Sequence, residues 1–157
     1  MERLNEVRIL RASVRDADEI LDLQKSAYRS EAEIYNNYDI LPLKQTCVEI
    51  REQFKTQVFL KAVSGGEIVG TVRAYEKDGT CFIGRLAVRP DMQNRGIGRA
   101  LMKEIESCFN PERFELFTGA QSAKNIQLYQ KLGYSIFKKE QDGCGGVEIV
   151  YMEKRGK

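Results

Sequence analysis

The sequence predicts a mixed α/β (α+β) fold, with a mostly antiparallel sheet of about seven strands flanked by about four helices. Three β-rich segments follow one another through short turns at 64–66 and 77–80, so they are expected to pair as antiparallel neighbours. Strand, helix and strand patterns then alternate, which predicts a parallel pair joined by a right-handed crossover. The two observations together indicate one sheet that contains both kinds of pairing.

The individual elements follow from periodicity and from capping residues. β-rich runs between turn residues place the strands at 7–10, 57–63, 67–75, 81–88, 114–118, 134–139 and 147–153. Apolar residues at helical spacing place the helices at 16–28, 47–54, 96–109 and 122–132. Asp16 with Glu19 three residues on is expected to form a capping box, while Thr46 and Ser122 are expected to cap later helices. The polar run at 30–46 lacks a clear period, so a functional or a mobile loop is expected there.

Composition restricts the chemistry. The 157 residues suit one domain over 1–157, and a formal net charge of +2 with interspersed signs does not favour a nucleic-acid partner. The first six residues lack an apolar signal core and no run approaches membrane-spanning length, so a cytoplasmic protein is expected. The four cysteines are widely spaced and histidine is absent, which argues against a metal site or a disulfide framework. The absence of histidine also excludes hydrolases that use an imidazole base.

The most informative stretch is the strand-to-helix turn at 93–98, Gln-Asn-Arg-Gly-Ile-Gly. Its two glycines allow a ligand to approach the main chain, and amides at a helix start bind phosphate oxygens. A Rossmann fingerprint fails because Leu101 stands where the third glycine should be. A P-loop fails because Arg99-Ala100 follows Gly98. A phosphate site of another kind, or a helix start with no ligand, remains.

This stretch resembles the coenzyme A signature of the GNAT superfamily, the Gcn5-related N-acetyltransferases. The signature is written Gln/Arg-x-x-Gly-x-Gly/Ala, and Gln93, Gly96 and Gly98 match it. A second run at 125–134, Asn-Ile-Gln-Leu-Tyr-Gln-Lys-Leu-Gly-Tyr, resembles the family motif Asn-x-x-Leu-Tyr-x-Lys-x-Gly-Phe/Tyr. The two motifs occur in the family's order, and with the flanking elements the resemblance covers nearly the whole chain.

The resemblance implies that the sheet splays between its central strand and the following parallel strand. It also implies transfer of an acetyl group from acetyl-CoA to a primary amine by direct attack, without a covalent enzyme intermediate. The main chain at 86–88 would pair with the pantetheine arm and polarise the thioester carbonyl. The implied cofactor-binding residues are Leu86, Ala87, Val88, Gln93, Asn94, Arg95, Gly96, Ile97, Gly98, Arg99 and Asn125.

The position of Tyr129 in the Leu-Tyr-x-Lys run resembles that of the family's usual acid, so the resemblance implies this role. A phenol stays protonated at neutral pH and can protonate a leaving thiolate. The alternative is a half-buried helix tyrosine whose hydroxyl reaches water. Asn125 lies one turn earlier on the same face and could bond the cofactor, or it is a surface residue. Some relatives place the motif asparagine where this chain has Ser122.

The general base stays open at this point, because Arg85 stands where many relatives place a glutamate. Glu31, Glu33, Asp39, Glu76 or a water chain could take the proton.

Arg73 and Arg85 on successive strands could converge on an acceptor carboxylate or phosphate, or they could pair with Glu67 or Glu76. A deep pocket closed by the loop at 35–42 would favour a small amine, and an open groove would favour a peptide.

The predicted function is acetylation of a small-molecule amine. Protein or peptide N-acetylation and a non-catalytic acyl-CoA-binding module are the alternatives. The edge of the terminal hairpin offers a place for a homodimer to pair.

Overall fold

The computed structural model describes residues 6–141 and 147–156, and the elements are numbered here in chain order. The strands are β1 (Arg8–Arg11), β2 (Val58–Ser64), β3 (Glu67–Lys77), β4 (Thr80–Val88), β5 (Arg113–Gly119), β6 (Ser135–Gln141) and β7 (Glu148–Arg155). The α-helices are α1 (Ala17–Tyr35), α2 (Leu41–Lys44), α3 (Cys47–Gln53), α4 (Ile97–Ser107) and α5 (Ala123–Lys131). Short 3₁₀ turns lie at Val14–Asp16 and Pro90–Met92.

The sheet has the strand order β1-β2-β3-β4-β5-β7-β6. Neighbouring strands are antiparallel except for β4 and β5, which are parallel. The parallel pairing runs only from Thr80 opposite Arg113 to Phe82 opposite Glu115, so the two strands separate beyond Phe82. The predicted mixed sheet of seven strands, splayed after its central strand, is confirmed among the described residues.

Helices cover both faces of the sheet. Phe59 packs with Ile20 of α1 and Ile50 of α3, whereas the next residue, Leu60, packs in a second cluster with Leu101 of α4. Successive side chains of a strand point to opposite faces, so these two clusters are two separate layers. Burial of each large apolar side chain stabilises the fold by about 1.5–3 kcal/mol. Within 6–141 and 147–156, every helix falls short of the length and apolar character that a bilayer crossing requires.

The first helix is longer than its sequence predicts. α1 continues to Tyr35, and the left-handed Asn36 (φ 51°) then ends it, so the expected loop at 30–46 is half helical. Its last turns bury Ala32, which packs with Ile40 and Val147. The other side chains of these turns are mostly polar, so the buried Ala32 alone does not produce a helical hydrophobic period that the sequence would reveal.

The predicted cap of α3 at Thr46 is confirmed, whereas Asp16 precedes α1 without forming the predicted box with Glu19. The Glu49 amide donates to the Thr46 hydroxyl at 3.2 Å and the Thr46 amide donates to the Glu49 carboxylate at 2.8 Å, which completes the predicted cap of α3. Asp16 instead accepts from the Ser13 amide at 2.9 Å, so it closes the preceding 3₁₀ turn. Glu19 accepts from the Ile68 amide at 2.9 Å, and this tertiary bond replaces the expected local one.

The third predicted cap, at Ser122, also lacks the expected hydrogen bond. Ser122 does precede α5, but its hydroxyl makes no capping bond. The hydroxyl donates instead to the Glu31 carboxylate on α1. A tertiary partner has therefore taken the side chain away from the helix end, and this bond ties α1 to the start of α5.

Candidate functional site

A cavity of about 340 Å³ lies where β4, the turn after it and the start of α5 meet. The predicted cofactor residues on its wall are Leu86, Ala87, Val88, Gln93, Asn94, Gly96, Ile97, Gly98, Arg99 and Asn125. Arg95 is the predicted cofactor residue that the structure does not place on this wall. The fold therefore gathers two separate stretches of the sequence around one space.

The turn before α4 has main-chain geometry suited to an anion. Asn94 (φ 65°) and Gly96 (φ 84°) are both left-handed, and no side chain within the described ranges caps α4. The first amides of a helix have no intrahelical acceptor, so those of α4 remain available. A Cβ on Gly96 would meet nothing within 4 Å, so the backbone conformation and not space calls for glycine there. Such a turn is a concave nest of N–H groups that favours phosphate oxygens.

Gly98 serves the cavity for a different reason. A Cβ there would lie 3.6 Å from Leu128, 3.7 Å from Leu86 and 3.9 Å from Val88, all ordinary contact distances. The chain itself would tolerate that atom, which would fill the groove between α4, α5 and β4. The missing side chain therefore leaves room for a ligand against the main chain.

Gln93 has internal partners. Its side-chain amide donates to the Val88 carbonyl at 3.2 Å, and the Lys124 ammonium donates to its side-chain oxygen at 3.5 Å. Gln93 therefore fastens the turn to the end of β4. Lys124 also lines the cavity and adds positive charge beside Arg99. Sequence reasoning missed Lys124, because a lysine in an exposed first helical turn carries no distinguishing pattern.

A β-bulge interrupts β4 beside the cavity. Thr71 pairs with Ala87 and Arg73 pairs with Gly84, so Val72 faces two residues of β4, Arg85 and Leu86. A bulge disrupts the ladder locally and bends its strand. It occurs just where β5 has separated from β4, so the main chain at 84–88 borders open space.

A second cavity of about 330 Å³ adjoins the first, and the two share Tyr28, Glu31, Leu86 and Asn125 on their walls. The second cavity is bounded by α1, α2, β4, β5, α5 and β7. The Tyr28 hydroxyl donates to the Leu86 carbonyl at 3.1 Å, which fixes α1 against the bulge. The two cavities, one beside the turn at 93–98 and one under α1, thus form a single site.

Tyr129 lies on the wall of the second cavity and is 6% exposed. Burial raises the pKa of its phenol well above the ordinary value, and the nearby charges of Tyr28 and Glu31 raise it further. The hydroxyl is therefore protonated throughout the neutral range. A proton is therefore present on the cavity wall for a leaving group, while the raised pKa makes this phenol a weaker acid than a free tyrosine.

Glu31 lines both cavities and accepts a hydrogen bond from the Ser122 hydroxyl. Burial raises the pKa of its carboxyl, while the bond from Ser122 opposes that shift. Of the carboxylates that the sequence offered as bases, Glu33, Asp39 and Glu76 line neither cavity. A carboxyl with a raised pKa beside the space is suited to accept a proton near neutral pH.

Asn125 stands between the two cavities, one helical turn before Tyr129. Its side-chain amide donates to the Thr118 hydroxyl at 3.4 Å, which links α5 to the end of β5. The position that the motif singled out is therefore on the wall of the site and is not a bare surface position.

Residues 17–134 match the model of the Acetyltransferase (GNAT) family. The chain belongs to this family. UPF0157 protein YqkA of Bacillus subtilis (strain 168) is 32% identical over 120 residues, which are 75% of this chain and 34% of that protein. The chain therefore spans about a third of the length of this relative.

Solved structures described as acetyltransferases share the fold. PaiA N-acetyltransferase of Thermoplasma acidophilum, in complex with coenzyme A, has a TM-score of 0.78 at 16% identity, covering 96% of this chain and 99% of its own. The yncA protein of Salmonella typhimurium, with its cofactor acetyl-CoA, has a TM-score of 0.76 at 15% identity, covering 96% and 94%. At these identities the likeness shows the GNAT fold.

Arg73 on β3 does not form the ion pair that the sequence offered as one alternative for it. Arg73 is 4% exposed and donates to the amide oxygens of Gln24 at 3.1 Å and Gln45 at 2.9 Å. Glu67 pairs with Arg89 instead, so the pairing of Arg73 with Glu67 is wrong. Burial, and then the charge of Arg85, lower the pKa of Arg73 to about 9. The guanidinium is still charged at neutral pH.

Proposed function

We propose that this GNAT chain transfers an acetyl group from acetyl-CoA to the primary amine of a small molecule by direct attack. Membership of the family supports the reaction class. The observation that carries the proposal is geometric: the uncapped start of α4 borders one cavity, and the cavity adjoining it is lined by a buried tyrosine and a half-buried carboxylate. Together these supply an anion site, a proton donor and a proton acceptor in one continuous space.

The first cavity fits the coenzyme in shape and in charge. The left-handed turn at 94–96 would hold the diphosphate on its amides, with Arg99 and Lys124 adding charge-assisted contacts. The groove that a side chain at Gly98 would fill leaves room for the pantetheine arm against the open edge of β4. When bound there, acetyl-CoA supplies an activated thioester.

The bulge and the buried side chains would then do the catalytic work. Beyond Phe82 the main chain of β4 has no partner on β5, and amides at 84–88 that point away from β3 would stabilise the negative charge that develops on the thioester oxygen. Glu31 would accept a proton from the acceptor's ammonium group, directly or through water, so that the free amine can attack. Tyr129 would donate its proton to the leaving thiolate, and its raised pKa keeps that proton in place before the reaction.

The cover over one side of the second cavity supports a small acceptor. Tyr35 at the end of α1 and Leu41 and Pro42 of α2 line it, together with Ile40 between them. The Gln121 amide donates to the Tyr35 hydroxyl at 2.7 Å, which holds the end of α1 against the loop after β5. A volume of about 330 Å³ under such a cover suits a small molecule better than an extended peptide.

Thiol release from acetyl-CoA across a panel of amines and peptides tests the proposal. Release with at least one small amine, above the rate of hydrolysis alone, is the expected result. Release with peptides only would favour the protein N-acetyltransferase alternative. Tight coenzyme binding without release from any acceptor would favour the non-catalytic module, and that result would overturn the enzymatic function.

A further inference from the structure

We propose that the acceptor carries a carboxylate in addition to its amine, and that Arg85 binds this carboxylate within the second cavity. The inference rests on the proposed function, because it names the chemical class of the acceptor. It comes from a positive charge on the cavity wall that the described part of the protein leaves unpaired.

Arg85 is held in an unusual conformation with an incomplete set of partners. It is the left-handed residue (φ 54°) of the bulge in β4, and it lines the second cavity. Its Nε is buried and has no hydrogen-bond partner within the described ranges. A buried guanidinium N–H without an acceptor is costly, and a strained backbone of this kind persists where its surroundings fix it, often at ligand sites. A ligand oxygen would supply the missing acceptor.

Arg73 places a second positive charge near Arg85, behind the wall of the cavity and not on it. It is the cross-strand partner of Gly84, which lines the second cavity and where a Cβ would meet nothing within 4 Å. Its two hydrogen-bond partners, Gln24 and Gln45, are neutral amides, so they satisfy its donors without balancing its charge. The lowering of its pKa by Arg85 reflects two like charges that lie near each other.

The two charged side chains on the wall of the second cavity have opposite signs, and they match the ammonium and the carboxylate of an amino acid. Among the described residues that line the second cavity, Arg85 is the only cation and Glu31 the only carboxylate. Glu31 suits the ammonium end of an acceptor, since it is the proton acceptor of the proposed reaction. Arg85 suits the other end, because a guanidinium fork matches a carboxylate in two-point geometry. An amine without an anionic group would leave the charge of Arg85 unpaired.

Matched pairs of acceptors test the proposal. Each pair differs only in the carboxylate: alanine and ethylamine, tyrosine and tyramine, or 4-aminobutyrate and propylamine. Turnover with acetyl-CoA and calorimetric binding in the presence of coenzyme A are both measured. For at least one pair, the member with the carboxylate is expected to be preferred by about ten- to a hundredfold, as for a hydrogen bond to a charged group.

Two substitutions of Arg85 assign the preference to its charge. Asn tolerates the left-handed backbone, so Arg85→Asn removes the charge without adding strain, while Arg85→Lys keeps the charge without the fork. R85N is expected to abolish the preference, and R85K to keep part of it. Arg51→Gln removes the same charge from the exposed surface of α3 and is expected to leave the preference unchanged.

The outcomes separate this inference from the proposed function. If amines are acetylated and no pair shows a preference, the function stands and the carboxylate site is overturned. If the preference appears in binding but acetyl-CoA is not consumed, the anion site stands and the enzymatic function fails. A stronger preference for O-phosphoethanolamine than for β-alanine would point to a phosphate, and it would overturn the carboxylate.

Discussion

The two adjoining cavities are built from different materials. The wall of the first near α4 is largely main chain from one continuous stretch, in which left-handed residues and two glycines expose amides. The second has side chains from α1, β4 and α5, including Glu31, Arg85 and Tyr129. Main-chain amides bind the phosphates of the cofactor, and this contact does not depend on which acceptor is present. The charged side chains of the second cavity, in contrast, select one acceptor over another. Cofactor binding and acceptor chemistry are therefore expected to respond to different substitutions.

The largest expected effect comes from the proton donor. Tyr129→Phe removes the phenolic proton and keeps the buried ring, so kcat should fall by about 10²-fold or more while the affinity for coenzyme A stays nearly constant. Steady-state kinetics and calorimetry measure the two quantities. Tyr75→Phe, on β3 and outside both cavities, is the matched control and should change neither. A collapse of coenzyme affinity in Y129F would mean that Tyr129 is a packing residue.

The next effect concerns the proton acceptor. Glu31→Gln should lower kcat/KM by about 10²-fold, since a general base contributes rate of this order. Its pKa is raised by burial, so the active carboxylate form is lost as pH falls through a value above the ordinary one of about 4.3. The acid limb of the kcat/KM profile should lie at that raised value in the wild type and should disappear in E31Q. Glu33→Gln, two residues along α1 and off both cavity walls, should keep the limb.

The two glycines of the turn should respond differently. Gly98→Ala puts a methyl group into the groove at ordinary contact distances, so coenzyme affinity should fall about tenfold, while the thermal midpoint should stay unchanged or rise slightly because alanine favours the helix.

Gly96→Ala forces a Cβ into a left-handed conformation, which costs about 1–2 kcal/mol. This cost should lower the thermal midpoint by about 2–8 °C in a chain of this size. Calorimetric melting and coenzyme titration of both variants make the comparison. Equal losses of stability in both would show that Gly98 is needed for the fold and not for the ligand.

The same contrast explains how far the sequence could be interpreted. The turn at 93–98 and the capping box of Thr46 and Glu49 depend on residues close in sequence, so spacing alone predicts them. Glu31 could not be chosen among four carboxylates, because its partner Ser122 is 91 positions away and only the folded sheet brings them together. The partners of Arg73 were missed for the same reason, since Gln24 and Gln45 carry no charge pattern that points to an arginine.

A crystal structure of this protein with coenzyme A tests the central claim most directly. The account predicts diphosphate oxygens within about 3 Å of the amides at 94–99, and the coenzyme sulfur within about 3.5 Å of the Tyr129 hydroxyl. A diphosphate bound elsewhere would contradict the account. A coenzyme sulfur that lies far from the Tyr129 hydroxyl would contradict it as well.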